Sequence, residues 1–183
     1  MDITDRFAEL VRGPEERCQL DLGALLIAAH ARRDLDVDAQ VERLDELAAS
    51  CPGSDIDALT AHLCGTLGFR GDTDDYSHPR NSLLDVVLDR RRGIPITLSI
   101  VVLEVGRRLD IPLQGVGMPG HFLVRDAKDD DVFVDPFHRG QLDRAGCETL
   151  FATLHGAKAR FEPRFLEPVG QRAIMARMLT NLQ

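Results

Sequence analysis

One almost uninterrupted apolar segment, GIPITLSIVVLEVGRRL at residues 93–109, most limits what this chain can fold into. Pro95 suits the first position of a helix, where no N–H bond is lost, so we predict that a helix begins there. From Ile96 to Leu109 the apolar residues fall all around the helix rather than along one stripe. A helix of this kind is surrounded by protein. The segment therefore predicts a central buried helix, with Glu104 as a buried polar residue within it.

Segments on either side of this helix follow two different periodicities. Before it, apolar residues recur at helical spacing, and Asn81 is a suitable N-cap for a helix that runs to residue 92. After it, period-two alternation predicts three strands, with a hairpin turn between the last two. These strands are expected at residues 113–118, 121–126 and 131–135.

A buried helix followed by short antiparallel strands predicts an α+β fold. We expect an N-terminal helical part at residues 1–69 and a core at residues 70–183 in which the buried helix packs against a small antiparallel sheet. Because no flexible linker separates the two parts, we expect them to share one hydrophobic core and to form one compact unit.

Charge and hydropathy exclude several classes of function. The formal net charge of −8 repels phosphate backbones, so we expect no nucleic-acid partner. No apolar run reaches the roughly 18–20 residues needed to span a bilayer, and the first ten residues lack the regions of a secretory signal. We therefore expect no membrane contact and a cytoplasmic location.

The cysteines are scattered without CxxC spacing, which predicts free thiols. They are Cys18, Cys51, Cys64 and Cys147.

His121 and Asp135 lie at the ends of two neighbouring predicted strands, in the segments MPGHFLVRD and FVDPF. If these strands pair through the short turn, the two residues become cross-strand neighbours within hydrogen-bonding reach. The start of the central helix at residues 95–97 can approach the same end of the sheet. Gly120 permits a positive φ and Pro119 stiffens the entry, which would fix the pose of the histidine. This is the layout of a nucleophile–His–Asp triad.

The segments NSLLDVVLDRRRGIPITLSIVVLEVGRRLDIPLQGVGMPGHFLVR and VFVDPF together resemble the SirB-type branch of the transglutaminase-like superfamily. The resemblance covers residues 20–182 and includes GFRGDTDDYSHPRNS and RMLTNL. It implies a papain-like transglutaminase core, with His121 and Asp135 on the family's His and Asp positions. Members of this branch often continue into tetratricopeptide-type helical repeats, which would begin where this chain ends.

The nucleophile of catalytic relatives does not carry over. The resemblance places their cysteine at the start of the central helix, near Ile96 or Thr97 in this chain. Neither residue is cysteine, and no cysteine lies between residues 65 and 146. The SirB-type branch itself commonly reads GIPISL at this position. We therefore do not expect cysteine-dependent transamidation or proteolysis.

Three interpretations of His121 and Asp135 stay open at this point. In the preferred one they are a structural remnant, and Thr97 merely satisfies free amides in the first helical turn. In the second, Thr97 or Ser99 replaces the cysteine as the nucleophile of a hydrolase. In the third, His138 joins the pair to bind a metal, since two histidines and one carboxylate are a workable ligand set. For His138, however, a surface-loop position is preferred.

The sequence thus predicts a transglutaminase-like protein without the catalytic cysteine, acting in regulation or protein interaction. His121, Asp135 and Thr97 are its vestigial triad positions, and we expect neither cofactor nor metal. Its partner would be an unknown protein or a small ligand. The alternative is a hydrolase or amidase that uses the same three residues. A free cleft at the helix start beside His121 would favour the enzyme, and a cleft filled by Met118 or Phe137 would favour a binding module.

Overall fold

A computed structural model of the protein describes residues 2–183, and its centre is the apolar helix. This helix, α6 in chain order, spans Pro95–Arg108, and every residue from Pro95 to Gly106 is buried. The predicted central helix is therefore confirmed, with Glu104 buried inside it. The helix ends where Asp110 adopts a positive φ of 56° and the Ile111 N–H bonds back to the Gly106 carbonyl oxygen.

Within the described residues, five α-helices precede α6. They are α1 (Ile3–Arg12), α2 (Leu20–Ala31), α3 (Val37–Ala49), α4 (Ile56–Thr60, continued by a π-helical segment, Ala61–Thr66) and α5 (Leu84–Arg90). Aspartates cap two of them, since Asp36 and Asp55 accept hydrogen bonds from the backbone N–H groups of Ala39 and Ala58.

The predicted cap at Asn81 is wrong. α5 begins at Leu84, and Asn81 lies fully buried in a short 3₁₀ turn before it. Its side-chain amide donates instead to the carbonyl oxygen of Asp75, 2.7 Å away, and its side-chain oxygen accepts from Arg90. The reason is that this buried amide satisfies polar groups of the preceding loop, which helix-capping preferences do not take into account.

The strands after α6 form a five-stranded, wholly antiparallel sheet in the order β6-β5-β4-β3-β7. These strands are β3 (Leu113–Val116), β4 (Leu123–Asp126), β5 (Phe133–Asp135), β6 (Gly140–Leu142) and β7 (Pro168–Val169). A separate parallel pair, β1 (Arg70–Gly71) and β2 (Arg92–Gly93), lies beside the start of α6. Three sheet strands match the predicted ones with shorter bounds, whereas β6 and β7 were not predicted. The α+β fold class is confirmed.

Helices cover both faces of this sheet. Alternate strand residues point to opposite faces, so Phe122, Val124 and Val134 join the main core with α6, while Leu123 and Phe133 face the other way. A second apolar cluster covers that other face, built largely from α7 (Arg144–His155) and the loop that follows it. The last helix, α8 (Gln171–Asn181), packs against α2 and α6. Within residues 2–183, no helix is long and apolar enough to cross a membrane.

Candidate functional site

The histidine of the site sits in a tight turn. The N–H of His121 donates to the carbonyl oxygen of Met118 at 3.0 Å, and Gly120 has φ +75°. Proline followed by a residue of positive φ is the sequence of a type II turn, so Pro119 and Gly120 occupy the positions that suit them. His121 therefore precedes β4 by two residues. The prediction that it starts the strand is wrong, because this turn uses residues 118–121 before pairing begins.

Even so, His121 meets Asp135. Its Nε2 lies 3.0 Å from Oδ1 of Asp135, and both side chains are buried, with 3% and 1% of their surface exposed. β4 pairs with β5 so that Val124 faces Val134, which places Leu123 opposite Asp135. His121, two residues earlier, is thus the diagonal neighbour of Asp135 on the same face, a distance that long side chains bridge.

The same carboxylate also holds His138. Oδ2 of Asp135 lies 2.6 Å from Nδ1 of His138, and the backbone N–H groups of Phe137 and His138 donate to Oδ1. The rings of His121 and His138 stack with centroids 5.4 Å apart. The side chain of His138 is half exposed, as expected for a loop residue, but its contact with Asp135 was not predicted. The direction of the chain after Pro136 decides this contact, and the sequence does not reveal that direction.

These contacts set the charge state of Asp135. Burial raises the pKa of this carboxyl, but the hydrogen bonds from His121 and His138 outweigh it, and the pKa lies below its ordinary value. Asp135 is therefore an anion at neutral pH. It can orient the imidazole of His121 and stabilise a positive charge on it, which is the part that the carboxylate takes in a triad.

The three side chains of the metal interpretation are also close together. His121, Asp135 and His138 each offer one ligand atom, and these atoms lie within 4.8 Å of one another. Two histidines and one carboxylate suit several divalent metals. In both histidines, however, the nitrogen that meets Asp135 is already within hydrogen-bond distance of one of its oxygens, so hydrogen bonding by itself accounts for the cluster.

A small cleft of about 190 Å³ opens between the start of α6 and His121. It is lined by Tyr76, Ile94, Pro95, Ile96, Gly120, His121, Phe122, Arg177 and Asn181. The cleft is open, since Met118 packs in the second apolar cluster and Phe137 lies beside the imidazole, not in the opening. A larger cavity, about 610 Å³, lies elsewhere and is lined by the C-terminal half of α6 together with residues of β3 and β7.

Of the two candidate nucleophile positions, Ile96 shares this cleft with His121, and Thr97 does not line it. Thr97 is wholly buried, and within residues 2–183 its Oγ1 makes no hydrogen bond. Ser99 is buried as well, and its hydroxyl donates to the carbonyl oxygen of Phe122 at 3.4 Å. The structure therefore brings His121 and Asp135 together but leaves both hydroxyl groups outside the pair.

The thiols also lie outside the cleft. Among the described residues, no cysteine lines it. Cys64 and Cys147 are close enough to feel the charge of Asp135, but burial raises their pKa to about 11 and about 12. Both are therefore protonated at neutral pH, whereas a cysteine nucleophile acts as a thiolate. All four cysteines are free, and all but the half-buried Cys51 are buried.

Two aromatic side chains form one wall beside the pair, and sequence reasoning missed one of them, Tyr76. Phe137 packs edge-on against His121, with ring centroids 5.9 Å apart, and Tyr76 packs edge-on against Phe137. Gly71 makes room for this wall, because a Cβ there would lie 2.5 Å from the Phe137 ring. The N–H of Gly71 also donates to the carbonyl oxygen of Phe137 at 2.9 Å. The only signal in the sequence was a glycine in a polar loop, which does not identify its contact.

Comparison with known proteins agrees with the fold described above. The family model described as the transglutaminase-like superfamily matches residues 24–180, which is most of the chain. The chain belongs to the transglutaminase-like superfamily. This membership accounts for the buried helix and the antiparallel sheet against which it packs. No solved structure matches the chain significantly.

Several relatives of this superfamily member are bacterial proteins named UPF0162. One from Xylella fastidiosa is 43% identical over 130 residues, covering 68% of this chain and 46% of the relative. Another, from Pseudomonas aeruginosa, is 35% identical over 161 residues, covering 85% of this chain and 57% of the relative. The chain thus spans about half the length of these relatives. Mouse F-box only protein 21 is 33% identical over 142 residues, which cover 69% of this chain and 21% of that protein.

Proposed function

We propose that this chain is a regulatory or protein-interaction module of the SirB-type branch, and that its His–Asp pair is inherited from an enzyme but does not catalyse. The observation that carries the proposal is Ile96. In the first turn of α6, the residue that shares the cleft with His121 has a hydrocarbon side chain. Without a nucleophile, a base and its orienting carboxylate cannot form a covalent intermediate.

The alternative, a hydrolase or amidase that uses Thr97 with His121 and Asp135, has less support. A hydroxyl needs a base within about 2.6–3.2 Å to act as a nucleophile, although unliganded sites can be looser. Thr97 makes no hydrogen bond within the described residues and does not line the cleft. The open cleft beside His121 is the observation in favour of an enzyme, and a ligand-binding module needs such a cleft equally.

Two further observations support a module. The similar segment occupies about a fifth of mouse F-box only protein 21 and about half of the bacterial relatives. Moreover, the main hydrophobic core contains side chains of both α2 and α6, so we propose that residues 1–69 and 70–183 fold as one unit.

We also propose a cytoplasmic location, where the four free thiols would stay reduced.

Labelling with fluorophosphonate and acyl probes, read by intact-protein mass, tests the absence of catalysis. We expect no probe adduct that depends on His121. Thr97→Val removes the candidate hydroxyl at nearly constant volume, and Ser99→Ala is the matched control for the next hydroxyl along the helix. An adduct that maps to Thr97 and disappears in both Thr97→Val and His121→Ala would establish the hydrolase and end this proposal.

A further inference from the structure

The lining of the cleft beside His121 includes one arginine and lacks an acidic side chain. Among the described residues that line it there is no Asp or Glu, although the whole chain carries a net charge of −8. Its one full positive charge is the guanidinium of Arg177 on α8, which has no ion-pair partner in the part of the chain described. Burial lowers the pKa of Arg177, as expected for a cation without a partner, and nearby Tyr76 offsets only part of this effect.

The guanidinium is held in place and keeps donors free. Nη2 of Arg177 donates to the carbonyl oxygens of His121 at 2.9 Å and Met118 at 3.3 Å, and the group lies over the Phe122 ring. Nε and Nη1 make no hydrogen bond within residues 2–183. A fixed arginine with unused donors is suited to a carboxylate or a phosphate.

One other feature of the cleft points to an anion, and His121 offers the ligand a further contact. The first turn of α6 lines it through Pro95 and Ile96, and the start of a 14-residue helix carries partial positive charge. His121 is only 3% exposed, its Nε2 is engaged by Asp135, and its Nδ1 makes no hydrogen bond in the described residues. Because the Asp135 carboxylate only accepts, Nε2 is the donor nitrogen, and the Nδ1 of a neutral imidazole can only accept a hydrogen bond from a ligand in the cleft. Tyr76 and Asn181 add uncharged polar groups.

The size of the cleft and the charge of its lining limit the kinds of ligand that can bind there. About 190 Å³ holds a small polar group with little more than one residue attached. One fixed cation with uncharged donors matches a carboxylate of single charge better than a phosphate of two. A free amino acid would also bring an ammonium group, for which the lining offers no carboxylate. A peptide C-terminus has the carboxylate and replaces the ammonium group by an amide.

We propose that this cleft binds the C-terminal carboxylate of a peptide or protein partner, with Arg177 as the main contact and Tyr76, Asn181 and the start of α6 completing the site. The inference rests on the proposed function and gives that module its ligand class. No covalent step is involved, so the carboxylate is held by hydrogen bonds and charge alone.

Titration of the ¹⁵N-labelled protein, followed by amide chemical shifts, tests this proposal. The probes are N-acetyl-alanyl-alanine, its C-terminal amide and inorganic phosphate. We expect the free acid to shift the amide signals of Ile96, Gly120 and Phe122, and we expect the C-terminal amide to bind at least tenfold more weakly. Equal binding of acid and amide overturns the proposal, and so does binding of phosphate with no response to the free acid.

Variants of Arg177 test whether this arginine makes the main contact with the carboxylate. A hydrogen bond to a charged group is worth enough that Arg177→Gln should weaken binding of the free acid about tenfold or more. Arg177→Lys keeps the charge without the planar fork and should bind with intermediate affinity; it serves as the test if the Gln variant does not fold. Arg164→Gln makes the same charge change at an exposed site and should bind like the unmodified protein. Unchanged affinity in Arg177→Lys and any folded Arg177→Gln overturns the proposal.

The same titration separates this inference from the proposed function. Slow release of ammonia from the peptide amide, yielding the free acid, would show catalysis and end the non-catalytic proposal. Tight, Arg177-dependent binding of the free acid would still stand in that case. Conversely, if neither turnover nor binding is observed, the non-catalytic proposal stands and the proposed ligand class is rejected.

Discussion

His121 and Asp135 form a buried pair in which Nε2 of the imidazole lies 3.0 Å from Oδ1 of the carboxylate. The same carboxylate accepts from two backbone N–H groups and meets His138 through its other oxygen. Four groups thus converge on one anion at the end of β5. This convergence makes Asp135 a structural centre of the site whether or not the site catalyses a reaction.

Asp135→Asn is expected to destabilise the fold by about 2–4 kcal/mol. The substitution removes the charge from hydrogen bonds that are buried and charge-assisted, which are the costly ones to lose. His138→Ala, which removes a half-exposed partner of the same carboxylate, should cost under about 1 kcal/mol. Urea unfolding followed by circular dichroism measures both. Equal losses in the two variants would contradict the central part given to Asp135.

The contribution of Asp135 should also depend on pH. Its pKa in the folded protein lies below the ordinary value of 3.8, so the folded state holds the anion more strongly than the unfolded state does. The stabilisation is therefore present above about pH 5 and is lost as the pH falls through the folded pKa. The difference in unfolding free energy between the unmodified protein and Asp135→Asn should shrink below about pH 4. A difference that grows on acidification would reverse the assigned sign.

The buried thiols give a second test of the structure. Burial raises the pKa of Cys64 and Cys147 to about 11 and about 12, and burial together with the charge of Glu15 raises that of Cys18. Alkylation by iodoacetamide at pH 7 should therefore modify the half-buried Cys51 and spare the other three until urea unfolds the chain. Intact-protein mass counts the adducts. Rapid modification of Cys64 or Cys147 in the folded protein would place a reactive thiol near Asp135.

Gly71 should be intolerant of a side chain. A Cβ there would lie 2.5 Å from the ring of Phe137, which packs against His121, so Gly71→Ala should cost about 1–3 kcal/mol by overpacking. Gly140 is the matched control, because it lies in a strand paired with Asp135 and its added Cβ would meet nothing within 4 Å. Gly140→Ala should change stability by no more than about 0.5 kcal/mol. Urea unfolding distinguishes the two, and a neutral Gly71→Ala would mean that Phe137 is free to move.

The parts of this fold that the sequence predicts are those decided by local pattern. An apolar sequence on every side of α6 predicts burial, and a short turn between two strands is enough to bring His121 near Asp135. The strands β6 and β7 have three and two residues, too few for a period to be visible. Their pairing is decided by distant parts of the chain, which local reasoning cannot supply.

Local sequence patterns do not reveal which residues face the cleft or which distant residues reach it. Because α6 is apolar all round, its sequence gives no rotational phase and cannot say whether Ile96 or Thr97 turns toward the histidine. His138 and Arg177 reach the site from a loop and from the last helix, 17 and 56 residues after His121. Only the tertiary structure places such residues together.

The absence of a nucleophile can be tested by supplying one. Ile96→Cys would place a thiol in the first turn of α6, in the cleft that His121 lines. A helix N-terminus and a neighbouring histidine both lower the pKa of a cysteine from its ordinary value near 8.5, so this thiol should be more reactive than a normal one. We expect iodoacetamide at pH 7 to modify it at least about tenfold faster than the cysteine of Thr97→Cys, which would be buried outside the cleft.

Peptide mapping separates both from Cys51, and His121→Gln in the Ile96→Cys background should slow the reaction. Slow modification of the new thiol, with or without His121, would mean that the cleft never had the geometry of a disarmed triad.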